Sequence, residues 1–381
     1  MVLNDVCELI VDCEHKTAPT QEFGYPSIRT PNIGRGRFIL DAVNRVSEDT
    51  YQLWTRRAVP RPGDLIMARE APVGNVAMIP MGLNPCLGQR TLLIRPDQSK
   101  IDPSFLNYYL NGPVVQAQIQ SKTNGATVAH LNMKDVRSMA LPELPPLPTQ
   151  QRIAGILSAY DELIENSQRR IKILEATARG IYREWFVHFR FPGHENHPRV
   201  ASALGEIPQG WMVKKLSEIA ILNYGKALKK EDRCDGDFPV FGSSGVVGTH
   251  NLALVKGPGI IVGRKGNVGS VFWCDDDFFV IDTAYFVTSS LPLRYLFYVL
   301  PTLNFINSDA AVPGLSRNQA YSLDVLVPPQ EVIAQFCELA NTFECQALTL
   351  NRQIHNLRRT RDLLLPRLLS AQINVEAAEH V

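Results

Sequence analysis

Apolar positions recur at alternating steps of four and three through residues 148–186: Ile153, Leu157, Tyr160, Ile164, Ser167, Ile171, Leu174, Ala178, Ile181 and Trp185. Only Ser167 breaks the apolar character, so the pattern is the heptad seam of a helix that packs along its whole length against a partner. Gln, Glu, Arg, Lys and Ala fill much of the rest, and they lose little side-chain freedom in a helix. Pro148 and Thr149 stand where such a helix begins. At about 1.5 Å per residue it is roughly 57 Å long.

The same signature returns over residues 328–369. The opening PPQEVIA repeats PTQQRIA at an offset of 180 positions, and Ile354-x-x-Leu357 repeats Ile171-x-x-Leu174 at 183. The second copy therefore carries three more residues in its middle. Its seam is Ile333, Phe336, Ala340, Phe343, Ala347, Leu350, Ile354, Leu357, Arg361 and Leu364. Arg361 is the polar interruption; its stem can cover apolar surface while its head reaches water. Pro366 predicts a kink or a stop. Each copy follows a globular stretch, so the two helices are expected to pair antiparallel, each running from the domain before it towards the other.

The stretches between them read differently. In residues 1–147, short apolar runs at Leu65-Ile66-Met67-Ala68, Val76-Ala77-Met78-Ile79 and Arg90-Thr91-Leu92-Leu93-Ile94 are separated by turn signals at Pro62-Gly63-Asp64 and Ala71-Pro72-Val73-Gly74. These are strands. Residues 103–120 predict a helix entered through Asp102-Pro103 and broken at Asn111-Gly112-Pro113. The proline-rich LPELPPLP at 141–148 predicts an extended connection to the long helix. Residues 205–327 echo this outline. Gly63-Asp64-Leu65-Ile66-Met67-Ala68-Arg69 answers Gly259-Ile260-Ile261-Val262-Gly263-Arg264, and Val73-Gly74 answers Val268-Gly269 at the offset of the two arginines. Ala126-Thr127-Val128-x-x-Leu131 answers Ala310-Ala311-Val312-x-x-Leu315. The pattern thus predicts a mixed α/β (α+β) chain: a globular domain over 1–147, a helix over 148–187, a linker over 188–204, a second domain over 205–327, a second helix over 328–370 and a tail over 371–381.

Composition narrows this little. The chain has 381 residues, 45 % hydrophobic and 20 % charged, with a net charge of +1. That is ordinary for a globular protein and lacks the strong basic excess of most stand-alone nucleic-acid binders. Seven scattered cysteines show no paired CxxC and no zinc spacing, which fits a reducing compartment. The start is not a signal peptide, and no run reaches membrane-spanning length.

The candidate chemistry is basic and amide side chains on loops. In the first domain these are Lys16, Arg29, Arg35, Arg37, Arg57, Arg69, Asn124 and His130; in the second, Lys226, Lys229, Lys230, Arg264, Lys265, Asn267, Arg317 and Asn318. Lys and Arg neutralise phosphates, while Arg and Asn can grip base edges with two hydrogen bonds. Glycines flank Arg35 and Arg37, which suits a mobile loop or close backbone approach. Asp275, Asp276 and Asp277 form an acidic turn that DNA would avoid. The segment 263–269 lacks the Gly-Lys-Ser/Thr ending of a phosphate loop, and no hydrolase, zincin or dinucleotide motif occurs. Glu14-His15-Lys16 with Asp5 or Asp12 has the bare outline of a metal-dependent nuclease but has no counterpart in the second copy. No metal site and no catalytic residue is expected.

The order domain, helix, domain, helix resembles the specificity subunit (HsdS) family of type I restriction–modification systems. PPLPTQQRIAGIL and PPQEVIAQF look like that family's helix openings, PGDLIMAREAPVGNVA and GPGIIVGRKGNVGSVF like parts of its target-recognition domains, and GEIPQGW like the entry to the second. The resemblance covers nearly the whole chain, with the first recognition domain starting at once and without a short leader found in some members. It implies a non-catalytic, cytoplasmic, sequence-specific DNA-binding subunit. Each domain would read one half of a split, asymmetric target in double-stranded DNA, with the coiled coil as the spacer. Two methyltransferase (HsdM) subunits would dock on it and use S-adenosylmethionine; two HsdR subunits, with ATP and Mg, would complete the nuclease. This chain itself would hold no cofactor. Without the resemblance, a coiled-coil scaffold displaying two protein-binding domains fits the same pattern.

Overall fold

In a computed structural model of the chain, residues 1–123, 130–142, 144–305, 314–370, 372, 373 and 375 are described. The chain divides into two units, Met1–Ser167 with Arg352–Val381, and Gln168–Asn351. No described helix is long and apolar enough to cross a membrane, and all seven cysteines are free.

The first unit contains β1 (Cys7–Asp12), β2 (Tyr25–Ile28), β3 (Arg45–Val46), α1 (Glu48–Trp54), β4 (Leu65–Ala68), β5 (Val76–Met78), β6 (Cys86–Leu87) and β7 (Thr91–Pro96). Then come α2 (Pro103–Asn111), α3 (Pro113–Thr123), α4 (Met133–Arg137) and the start of α5 (Leu147–Tyr182). Asp102 caps α2 by accepting from the Phe105 amide at 2.8 Å, with Pro103 as the first helical residue. Gly112-Pro113 separates α2 from α3, as the sequence predicts. The main sheet is antiparallel in the order β1-β7-β4-β5. Because side chains alternate across a strand, Leu65 and Met67 face a core with Ile94, Phe105 and Leu106, while Ile66 and Ala68 face a second core with Ile28 and Leu87. This two-sided burial explains why β4 is an unbroken apolar run. The second face is covered by a small sheet, β3-β2-β6, antiparallel on one side and parallel on the other.

The second unit repeats this plan. It holds β8 (Arg199–Ser202), β9 (Gly205–Pro208), β10 (Met212–Lys215), α6 (Leu216–Ile219), β11 (Ala220–Tyr224), β12 (Phe238–Gly242), β13 (Gly245–His250), β14 (Gly259–Gly263), β15 (Val271–Cys274), β16 (Phe279–Val280) and β17 (Ala284–Ser289). After these come α7 (Leu293–Val299), α8 (Arg317–Tyr321), β18 (Asp324–Val327) and the first part of α9 (Gln330–Leu369), whose remainder from Arg352 belongs to the first unit. Its main sheet runs β11-β17-β14-β15, the same order and polarity as in the first unit. Ile260 and Val262 face one core and Ile261 the other. The small sheet β13-β12-β16 again joins an antiparallel and a parallel pair. The hairpin β8–β9 straddles the expected boundary, with β8 in the stretch that reads as linker and β9 at the start of the second domain.

Every seam position of α5 and α9 is buried or half-buried, while most positions between them are exposed. Within the first unit, Asp161 of α5 pairs with Arg361 of α9, and Ile153 shares a core with Leu368. Within the second, the rings of Tyr182 and Phe336 meet at 5.9 Å, and Glu175 acts on the carboxylate of Glu344. Rising numbers on one helix meet falling numbers on the other, so in each unit the two segments run antiparallel. The last turn of the first helix opens into a π-turn at Arg183–Val187. Pro366 does not stop α9, which carries it three residues before its end.

Candidate nucleic-acid interface

The two units share one turn, atom for atom. After β4 the Arg69 amide donates to Arg90, and the Leu131 amide donates back to the Arg69 carbonyl at 3.0 Å. After β14 the Arg264 amide donates to Thr283, and the Leu315 amide donates to the Arg264 carbonyl at 2.7 Å. The Gly74 amide closes the first turn on Ala68, and that of Gly269 closes the second on Gly263. Gly74 has φ +82° and Gly269 φ +76°, the left-handed region, and a Cβ at Gly74 would lie 2.8 Å from Ile119 Cδ1. This is why the Val-Gly echo keeps its glycine. The flanking echo residues 126–128 and 310–312, and the candidate Asn124, lie outside the described residues.

What the shared arginine does differs between the units. Arg69 is 5 % exposed. Its Nη1 meets Asp12 Oδ2 at 2.5 Å, its Nε donates to the Leu131 carbonyl at 2.8 Å, and its Nη2 lies 2.9 Å from His130 Nε2. A guanidinium only donates, so His130 Nε2 accepts and Nδ1 carries the proton toward Glu70 Oε1, 2.8 Å away. Arg90 holds the other Glu70 oxygen at 2.9 Å. Arg57 donates to the Cys13 carbonyl at 3.1 Å and lies 3.6 Å from Glu14, which Arg56 also holds. Arg57, Arg69 and His130 therefore come together, with Arg69 enclosed and His130 exposed at the rim.

Asp12, Cys13 and His15 offer ligand atoms within 4.8 Å of one another. Asp12 Oδ2, which faces His15 Nε2 at 3.0 Å, is already paired with the Arg69 guanidinium at 2.5 Å. The Glu14 carboxylate is likewise taken by arginine, which removes the acid the nuclease outline requires.

Lys16, Arg29, Arg35 and Arg37 are exposed, and none has a carboxylate within 4 Å among the described residues. The loop carrying Arg35 and Arg37 is pinned. Gly36, at φ +85°, donates to Val76, and its carbonyl accepts from Asn107 Nδ2 at 2.9 Å. The flanking arginines are thus held outward from a fixed point.

In the second unit Tyr224 ends β11 as Asp12 ends β1. Tyr224 pairs with Tyr285 next to the Gly263–Ala284 pair, just as Asp12 pairs with Leu92 next to Ala68–Thr91. With an aromatic ring in place of the carboxylate, Arg264 forms no ion pair among the described residues. Its guanidinium lies 4.8 Å from the Tyr224 ring centre, and its Nη1 donates to the Asp282 carbonyl at 3.0 Å. Arg317 of α8 lies 4.4 Å from the same ring centre, with Nη1 3.4 Å from the Leu222 carbonyl. Lys265 is 3.8 Å from Asp282. These groups and Asn318 line a cleft of about 620 Å³. Burial, chiefly, pushes the Tyr285 hydroxyl up to about 12.

Four predicted residues, Arg264, Lys265, Arg317 and Asn318, thus meet in one place. Lys226, Lys229, Lys230 and Asn267 are exposed outside that lining. Tyr224 is the residue that sequence reasoning passes over; the only signal is an aromatic set just before the lysines of YGKALKK. The acidic turn is structural: Asp275 accepts from Trp273 Nε1 at 2.8 Å and Asp277 from the Gly257 amide at 2.9 Å.

The family described as type I restriction modification DNA specificity domain matches residues 1–176 and 208–338. The MjaIX specificity subunit of Methanocaldococcus jannaschii is 21 % identical, over 89 % of this chain and 84 % of its own length. The putative MjaX specificity subunit of the same organism is 23 % identical over 98 % and 93 %. The HindI specificity subunit of Haemophilus influenzae is 22 % identical over 92 % and 95 %. Among solved structures, the S subunit of a type I restriction-modification system from M. genitalium superposes with a TM-score of 0.63 at 18 % identity, over 97 % of this chain and 95 % of that one. The likeness to that structure is one of fold.

Proposed function

Because the chain belongs to the type I restriction modification DNA specificity family, we propose that it is the DNA-recognition subunit of such a system and reads a bipartite, asymmetric target. It recognises and does not catalyse. Each unit reads one half of the target. The paired helices set the unread gap and, with adjoining domain surfaces, hold two HsdM methyltransferase subunits; two HsdR subunits complete the nuclease. S-adenosylmethionine is used by the HsdM subunits to methylate an adenine turned out of the duplex. ATP and Mg serve the HsdR subunits. The complex works in the cytoplasm. A net charge of +1 leaves much of the phosphate neutralisation to the partners.

The observation that supports this reading is a scaffold repeated with its polar groups changed. The turn after β4 and the turn after β14 keep the same hydrogen bonds, while Asp12 gives way to Tyr224 at the matching strand end. A repeated frame carrying unlike side chains suits two unlike half-sites. The contact residues we assign are the exposed or cleft-lining Lys16, Arg29, Arg35, Arg37, Arg57 and His130 in the first unit, with Lys226, Lys229, Lys230, Arg264, Lys265, Asn267 and Arg317 in the second. Selection from a randomised duplex library by the full chain with its methyltransferase partner tests the reading. Two separated, unlike words with a constant gap are expected. One contiguous word, or no preference at all, would sink it.

A further inference from the structure

We propose that the Tyr224 cleft of the second unit reads a guanine through Arg264 and Arg317, an assignment that rests on the DNA-recognition reading above. Two guanidiniums converge on one ring, at 4.8 and 4.4 Å from its centre, and neither has a carboxylate within 4 Å among the described residues. Two like charges so placed repel unless an electron-rich group lies between or before them. In the first unit the same arginine position is neutralised by Asp12; here that carboxylate is absent and the cleft is left positive and open.

The choice of a base edge over a phosphate follows from how the two arginines are held. The guanidinium carbons of Arg264 and Arg317 lie 4.8 and 4.4 Å from the Tyr224 ring centre, and Nη1 of each faces a backbone carbonyl, Asp282 for Arg264 at 3.0 Å and Leu222 for Arg317 at 3.4 Å. Arg264 also hydrogen-bonds the Tyr285 hydroxyl, and of the five N–H donors on each guanidinium those left over face the cleft. A fixed planar fork matches guanine O6 and N7, the commonest specific arginine contact in the major groove. A phosphate can accept the same fork, but the exposed Lys226, Lys229 and Lys230 offer it charge outside the cleft, which leaves the recessed arginines to a base edge. Tyr224 is 45 % exposed, so its ring both fixes the arginines and walls the cleft.

The test uses the full chain with its methyltransferase partner and randomised duplex DNA. Wild type is expected to select a G·C pair in one half-site. Arg264→Lys and Arg317→Lys keep the charge and lose the fork; each is expected to lower the preference at that single pair by about tenfold or more, with both words otherwise intact. 7-Deazaguanine at that position, offered to the wild-type complex, should reproduce the loss and needs no variant to fold. Lysine variants that keep the preference, or weaken all DNA equally, would make these phosphate contacts and overturn the proposal. So would a deaza substitution without effect. A wild-type complex that selects no word at all would instead overturn the DNA-recognition reading beneath it.

Discussion

Arg69 and Arg264 hold one position of a repeated turn, and their neighbours decide what each can do. Arg69 lies in a nearly closed pocket with Asp12, so removing the acid strands a buried cation. Asp12→Ala is expected to destabilise the first unit by about 3 kcal/mol. Arg264→Ala, which breaks no ion pair among the described residues, should cost under about 1 kcal/mol. Urea unfolding of the full chain checks this; equal losses would contradict it. Cysteine reactivity offers a second check. Burial pushes the thiols of Cys7 and Cys86 up to about 12 and raises those of Cys13, Cys274 and Cys337. Since the thiolate is the nucleophile, brief alkylation at neutral pH should label the exposed Cys234 and Cys345 well before the rest, as peptide mass spectrometry would show.

At the scale of elements, the long helices are where sequence and structure agree most closely. A heptad repeat is local arithmetic, and burial follows it residue by residue. The exception, Arg361, is resolved by distance in the chain: it pairs with Asp161, which also accepts from the Tyr108 hydroxyl at 2.6 Å. Burial, then Asp161, raises that hydroxyl's pKa, so it stays a donor. Arg361→Leu would complete the apolar seam, and because Asp161 is about one-third exposed and keeps the Tyr108 hydrogen bond, the variant is expected to stay within about 1 kcal/mol of wild type. Leu157→Ala, at a fully buried seam position, should cost about 2–5 kcal/mol. Thermal melts of the two variants would reverse that order only if the ion pair, and not the apolar packing, holds the helices. The loops were less legible. Gly34-Arg35-Gly36-Arg37 has the composition of a mobile loop, yet Asn107 reaches it from α2 and pins it. Arg69 reads as a surface cation because its acid lies 57 positions upstream. Tyr224 carries no sequence signal of its own, since its role depends on two arginines that only the fold brings to it.

For the whole molecule, the proposed spacing role makes a numerical prediction. Adding one heptad to each helix, after Ser167 and after Asn351, keeps the seam in phase and adds about 10.5 Å. With duplex DNA repeating every 34–36 Å or so per turn of about 10 base pairs, the gap between the two words should grow by about three base pairs while the words stay the same. Methylation-site mapping would read the change; an unaltered gap would exclude the helices as its determinant. The division of the chain has a further consequence. The first unit takes its closing segment from Arg352–Val381, which a ribosome makes only after the whole second unit. The second unit can fold while synthesis continues, but Ile153 and Leu157 must wait for Leu364 and Leu368 to emerge. A nascent chain stalled before position 352 therefore shows a sticky strip to chaperones and to neighbouring polypeptides, and translation speed over the final stretch sets how long that hazard lasts.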